Sequence, residues 1–214
     1  MELGWLTVTP ESGSGNGSLD VSVTSYSGRE SKQMSFRVVG TGGGEGTVNV
    51  TQSGLAEFVT FSSGTAEIGK EGGTLQLSGT SNSTALTFGV AEGGSLELTA
   101  PPTYKVLERD VNNGEAVPDD PGASATYGWT VSFDVPENMT IGSLTCTVTV
   151  ADAGGSEAGE NIHSCVVTQS AGDAYVYVGE MNQGSVSITL PAEGGSDTVQ
   201  VFSNTDWTVQ ALEA

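Results

Sequence analysis

A chain of 214 residues with 31 glycines, 26 acidic and only 6 basic side chains has room for one large or two ordinary domains and a formal charge of −20. That surface opposes nucleic acid and anionic membranes. No apolar run approaches bilayer-spanning length, and residues 1–20, with no basic start and no apolar core, do not read as a signal peptide.

Valines interleaved with Gly, Ser and Thr indicate an all-β chain, and no segment carries a helical period. Residues 3–9, LGWLTVT, alternate up to Pro10 and predict a strand carrying Trp5, followed by a tight loop at 11–18. A strand at 19–24 sets Leu19, Val21 and Val23 on one face, and one at 34–39 does the same for Met34, Phe36 and Val38. The glycine-rich loop 40–46 makes a hairpin with a strand at 47–52. After a linker at 53–57, strands are predicted at 58–61, 74–78, 86–90 and 96–98, with Glu71-Gly72-Gly73 as a turn. Residues 100–125, with four prolines, form the longest irregular stretch and read as an insertion. Trp129, Val131, Phe133 and Val135 then mark a strong core strand.

Strands at 144–150 and 162–167 form a hairpin whose loop centre, (151 + 160)/2, coincides with the cysteine midpoint, (146 + 165)/2. Cys146 and Cys165 are therefore expected to be near cross-strand neighbours, either disulfide-bonded or, the favoured reading, two small buried thiols. Further strands are predicted at 175–178, 185–190, 198–202 and 207–212, the last carrying Trp207.

The chain repeats itself. Glu-Gly-Gly recurs at 71 and 193 and Ser-Asn at 81 and 203, both at an offset of 193 − 71 = 203 − 81 = 122. Val23 aligns with Phe133 and Phe36 with Cys146 at an offset of 110, and Val50-Thr51-Gln52-Ser53 with Val167-Thr168-Gln169-Ser170 at an offset of 117. Residues 1–54 thus match the second half of the middle unit, and residues 174–214 its first half.

WLTVTPESGSGNG at 5–17, VTQSG at 50–54, EGG at 193–195 and SNTDW at 203–207 resemble the BACON domain, an immunoglobulin-like sandwich of gut Bacteroidetes and their phages. The resemblance covers most of the chain, although the middle unit has no counterpart of WLTVTP. It implies two BACON-like β-sandwiches: one assembled from 1–54 plus 174–214, the other being 55–173 with an extra loop at 100–125. It further implies contact with carbohydrate or mucin, or a spacer role, and no catalysis by the sandwich itself.

Half a sandwich exposes its inner face and an unpaired edge. The two terminal segments are therefore expected to meet, within one chain or between chains. Local effective concentration favours closure within one chain, and an end-to-end arrangement forces exchange between chains.

Among single residues, Tyr104, Tyr127, Tyr175 and Tyr177 are the candidate exposed aromatics for ligand or partner contact, whereas Trp5, Trp129 and Trp207 are expected in cores. Asp110, Asn112, Asp119 and Asp120 faintly resemble a calcium loop without its full ligand pattern, so a solvated turn is expected, and no metal or cofactor. His163, the only histidine, has no companion for a zinc site or catalytic triad and is expected to decorate a strand.

The function expected is that of a non-catalytic structural protein of a phage virion: an auxiliary or decoration protein of the capsid, or a fibre component. Its partners are then other capsid proteins or copies of itself. The alternatives are an extracellular or cell-surface module that binds host glycans, and a passive spacer.

Overall fold

The computed structural model describes residues 1–153 and 161–212. Sixteen strands and no helix are found among them: β1 (Glu2–Leu3), β2 (Leu6–Thr9), β3 (Asp20–Val23), β4 (Lys32–Val39), β5 (Glu45–Gln52), β6 (Val59–Phe61), β7 (Thr65–Ile68), β8 (Gly73–Ser81), β9 (Leu86–Val90), β10 (Thr103–Val106), β11 (Arg109–Asn112), β12 (Tyr127–Val135), β13 (Leu144–Asp152), β14 (Ile162–Gln169), β15 (Val176–Val178) and β16 (Val201–Ser203). The chain is all-β and its centre is an immunoglobulin-like sandwich.

That sandwich is built from residues 59–169. One sheet runs β11-β10-β12-β8-β6 and the other β7-β14-β13-β9. Period-2 alternation in β8, β12 and β13 turns one side of each strand inward, so Leu75, Leu77, Trp129, Val131, Phe133, Val148 and Val150 enter a single core. Trp129, 1% exposed, meets Phe88 of the opposite sheet edge-on at 5.1 Å and Phe61 at 5.3 Å. Its indole lies over Gly79, its register partner on β8, where an added Cβ would come within 2.1 Å of the ring and 1.9 Å of the Thr60 carbonyl oxygen.

The flanking segments form smaller sheets. Residues 1–54 give β1-β2-β3 and a separate β4-β5 hairpin around Leu6, Val8 and Phe36; residues 174–212 give only the two-stranded β15-β16. Among the described residues, no strand of one flanking segment pairs with a strand of the other. Closure of the two terminal segments on each other, favoured from sequence, therefore has no strand ladder among the described residues.

Several other expectations are corrected. The predicted strand at 3–9 is broken after Leu3, where Gly4 takes a φ of +67° and turns the chain from β1 into β2. Residues 96–98 are not a strand, although Leu96 is buried. The predicted strands at 185–190 and 207–212 have no ladder partner and are not strands. Trp207 is 51% exposed rather than in a core, while Trp5 is only partly buried.

The stretch 100–125 is not an irregular loop. It holds the β10–β11 hairpin, which extends the first sheet. Asn113 then exchanges two hydrogen bonds with the backbone of Phe88, at 2.7 and 3.0 Å, closing the outer edge of β9. The strand β7 was not anticipated; it runs parallel to β14.

Candidate functional site

The segments of this chain join through side-chain hydrogen bonds made where the sheets end. Ser81 and Asn82 close β8 at one pole of the central sandwich. The Ser81 hydroxyl donates to the Phe58 carbonyl at 2.6 Å, and Asn82 Oδ1 accepts the Phe58 N–H at 2.8 Å. Asn82 Nδ2 donates to the carbonyls of Ser27, in the N-terminal segment, and Ala56, in the linker, at 3.2 and 3.1 Å. The Leu55 N–H donates to the Gly28 carbonyl at 2.9 Å.

Residues 122 positions later repeat the pattern. The Ser203 hydroxyl donates to the Tyr175 carbonyl, and Asn204 Oδ1 accepts the Tyr175 N–H, both at 3.0 Å. Asn204 Nδ2 donates to the carbonyls of Met139, in the central sandwich, and Asp173, in the linker, both at 2.8 Å. The Gly172 N–H donates to the Thr140 carbonyl at 2.7 Å. The same five hydrogen bonds thus make both junctions, with Ser27 and Gly28 at one matching Met139 and Thr140 at the other. Glycine is needed at both close approaches: a Cβ on Gly54 or Gly172 would lie 1.9 or 2.1 Å from a carbonyl oxygen of Arg29 or Asn138.

Charge reinforces each joint. Arg29, its side chain 14% exposed, spans Asp120 with bonds of 3.1 and 2.6 Å, and its Nη1 also donates to the Asn82 carbonyl at 2.5 Å. The bond to Asp120 raises the Arg29 pKa, against a smaller opposing effect of burial. Tyr26 donates its hydroxyl to the Ala123 carbonyl at 3.1 Å, and Lys32 lies over the Tyr26 and Trp5 rings at 4.2 and 4.8 Å. At the second joint, Lys70 pairs with Asp173.

These residues were missed because the shared Ser-Asn was read only as a mark of the repeat. A polar pair at the same offset as a turn motif was the available signal.

The predicted aromatic contacts divide. Tyr104 and Tyr127 are 2% and 4% exposed, and the Tyr127 hydroxyl donates inward to the Ser83 carbonyl at 2.7 Å. The Tyr104 hydroxyl accepts the Leu86 N–H at 3.2 Å. Burial raises both pKa values. Neither ring offers a stacking face, which corrects the expectation for this pair. Tyr175 and Tyr177 are half-buried and stack on each other at 5.0 Å with 19° between planes.

The calcium candidates are shared out among cations and amides. Asp110 pairs with Lys105 at 3.2 Å, Asp119 with Arg109 at 2.7 Å and Asp120 with Arg29, while Asn112 donates to Glu115 at 2.8 Å. Among the described residues no His, Cys, Asp and Glu side chains group to hold a metal. His163 sits exposed on β14.

Cys146 is registered opposite Val167, and Cys165 opposite Val148, so the cysteines are diagonal neighbours, two residues out of register. They are near cross-strand neighbours but not opposite one another, because the ladder runs on to Ala151↔Ile162 and its centre lies one residue beyond that of 151–160. Both thiols are free and buried, and burial raises their pKa values, leaving less thiolate at neutral pH. At pH 8 a thiol reagent is expected to label neither in the native protein and both in denaturant, with rates differing at least about tenfold.

No family model and no curated protein matches the chain. Among solved structures it is similar to a protein from Bacteroides thetaiotaomicron solved by NMR, at 18% identity and a TM-score of 0.26, over 56% of this chain and 92% of that one. It is also similar to extracellular cadherin domains 1–5 of protocadherin gamma B2, at 14% identity and a TM-score of 0.37, over 95% of this chain and 38% of that one. A third likeness is to an endo-fucoidan hydrolase of glycoside hydrolase family 107, at 13% identity and a TM-score of 0.25, over 83% of this chain and 28% of that one.

Proposed function

We propose that this chain is a non-catalytic structural protein that acts by joining sheet edges, and that it is a virion component of a phage: an auxiliary or decoration protein of the capsid, or a fibre component. The observation that carries the reading is the apolar surface left open on both flanking segments. Leu19, Val21 and Val23 of the N-terminal segment are 38%, 41% and 44% exposed, and Val176, Ile188 and Trp207 of the C-terminal segment 48%, 49% and 51%. Faces of this kind mark interaction surfaces.

Two open hollows, about 200 Å³ beside Glu92 and Cys146 and about 180 Å³ beside Tyr104 and Asp110, are smaller than the usual ligand site. The charge of −20 keeps such surfaces from indiscriminate association. The resemblance to BACON domains directs the reading to a phage particle. Mass spectrometry of gradient-purified particles tests it: the protein is expected at a fixed stoichiometry to the major capsid protein, and its absence from the particles overturns the virion assignment.

A second reading rests on Tyr175 and Tyr177, two half-buried rings stacked on each other at the start of β15, a type of side chain that suits a sugar ring. Glycan-array binding that disappears in Tyr177→Ala would favour it; an array without signal removes it.

A further inference from the structure

Each flanking segment is the part of the central sandwich that the other does not contain. In the central unit β8 lies between β12 and β6, β9 lies beside β13, and β7 beside β14. Residues 1–54 reproduce β10–β12 as β2–β3, and β13–β14 as β4–β5, and stop there: β3, β4 and β5 each keep an open edge. Residues 174–212 reproduce β6–β8 as β15–β16, with Val176↔Ser203 matching Val59↔Ser81. By the offset of 122, residues 187–190 and 208–212 correspond in sequence to β7 and β9, alternating but lying outside any ladder.

We infer that copies of this chain complete one another head to tail, residues 195–203 of one copy pairing antiparallel with β3 of the next while residues 208–212 line β4 and residues 187–190 line β5. The inference rests on the structural reading above and names the partner: a second copy. The repeat offsets set the register. Trp129↔Gly79 becomes Leu19↔Val201, since 129 − 110 = 19 and 79 + 122 = 201, and Val131↔Leu77 becomes Val21↔Val199.

The residues agree with that register. In the central unit a large indole faces a glycine; in the composite unit a mid-sized leucine faces a mid-sized valine, so the pair keeps its volume within the layer. Leu19, Val21 and Val23, 38–44% exposed, occupy the places of Trp129, Val131 and Phe133, which are 1–3% exposed.

Hydrogen bonding points the same way. Gln169 Nε2 donates to the carbonyls of Pro136, Lys70 and Gly69, at 2.7, 3.3 and 3.5 Å. Its counterpart Gln52 donates to the Thr24 carbonyl at 2.7 Å. The equivalents of Gly69 and Lys70 are Pro191 and Ala192, which belong to the segment that the next copy brings.

A chain cannot satisfy its own edges in this geometry. The N-terminal segment is bound at the Ser81/Tyr127 pole of the β8–β12 ladder, through Asn82 and Asp120. The C-terminal segment is bound near the Gly73/Val135 pole, through Met139 and Lys70. Eight residue steps, 81 − 73, separate the poles, about 26 Å along the strand. Because both junctions use the same hydrogen bonds, each segment is placed on its neighbour in the same way. A copy added at either end continues that arrangement as a heterologous, head-to-tail contact.

Two variants that each add one cysteine to the two buried native thiols, Val21→Cys and Val199→Cys, are mixed and bridged under native conditions with a short bis-maleimide. The expected products are a covalent dimer containing one of each and, in Val21→Cys/Val199→Cys carried on one chain, a ladder of multiples of 21.7 kDa. Light scattering of the unmodified protein over a dilution series, which needs no variant to fold, is expected to show masses above one chain, reduced to one chain by Val21→Asp. One-chain mass at every concentration overturns the inference, as does bridging absent from the mixed pair. A native polypeptide longer than 21.7 kDa that remains a monomer also overturns it, because flanking residues of the same chain then complete the edges. Particle association is measured separately: a ladder without particles sinks the virion reading alone, and particles carrying a monomer sink this inference alone.

Discussion

Replacing Trp129 with alanine is expected to lower the stability of the central sandwich by about 3–5 kcal/mol, a large share of the roughly 5–15 kcal/mol a domain of this kind possesses. Trp129 is 1% exposed, sits mid-sheet on β12 and holds Phe61 and Phe88 edge-on, so truncation leaves a cavity that both sheets must collapse to fill. One effect runs the other way. The buried indole Nε1 has no hydrogen-bond partner, so removing it relieves a desolvated donor. The loss therefore falls toward the lower end of the range, and urea unfolding followed by circular dichroism measures it.

The partner position gives the sharper test. Gly79→Val is destabilising on its own, because a side chain there meets the Thr60 carbonyl and the indole at about 2 Å. Trp129→Leu alone leaves a void over Gly79. Combined, Trp129→Leu and Gly79→Val install the Leu/Val pair found at positions 19 and 201 and are expected to cost less than the sum of the singles by at least about 1 kcal/mol. Additive losses would show that indole and glycine are not packed as a unit.

What the sequence disclosed follows from how much each segment depends on distant partners. The apolar faces of β8, β12 and β13 were legible because alternation alone fixes which side is buried. Alternation at 185–190 and 207–212 was equally clear, yet these stretches form no ladder: a pattern names the face of a strand, not the strand that pairs with it. The β10–β11 hairpin was hidden because its turn is made by Leu107 and Glu108, both at positive φ (48° and 63°), where Asn-Gly would have announced it. β7 was hidden because it is short and pairs in parallel with a strand about 100 residues away.

The candidate site was less legible than the fold. Tyr104 and Tyr127 flank the insertion and suggest exposure, but that insertion pairs into the sheet as β10–β11 and both rings enter its core. The junction residues Asn82 and Asn204 make mostly side-chain bonds to backbone carbonyls, which leave no composition signal.

Asn82→Ala is expected to be the most damaging polar substitution in the chain, at about 2–4 kcal/mol. Asn82 is fully buried, and its amide answers the Phe58 N–H and the carbonyls of Ser27 and Ala56 at once. Alanine leaves three main-chain groups to find water in a closed joint, and unmet buried groups cost more than the bonds themselves contribute. Asn204→Ala removes the equivalent set from a half-exposed position, where water can replace the amide, and is expected to cost about 1 kcal/mol or less. The two variants also differ in kind. Asn82→Ala frees the N-terminal segment from the central sandwich, so limited proteolysis is expected to cut within residues 53–57 at least tenfold faster, with the core product persisting. If both asparagines cost the same, or if proteolysis at 53–57 does not accelerate, the amide is not what fixes the joint, and Arg29 with its pair to Asp120 must hold it instead.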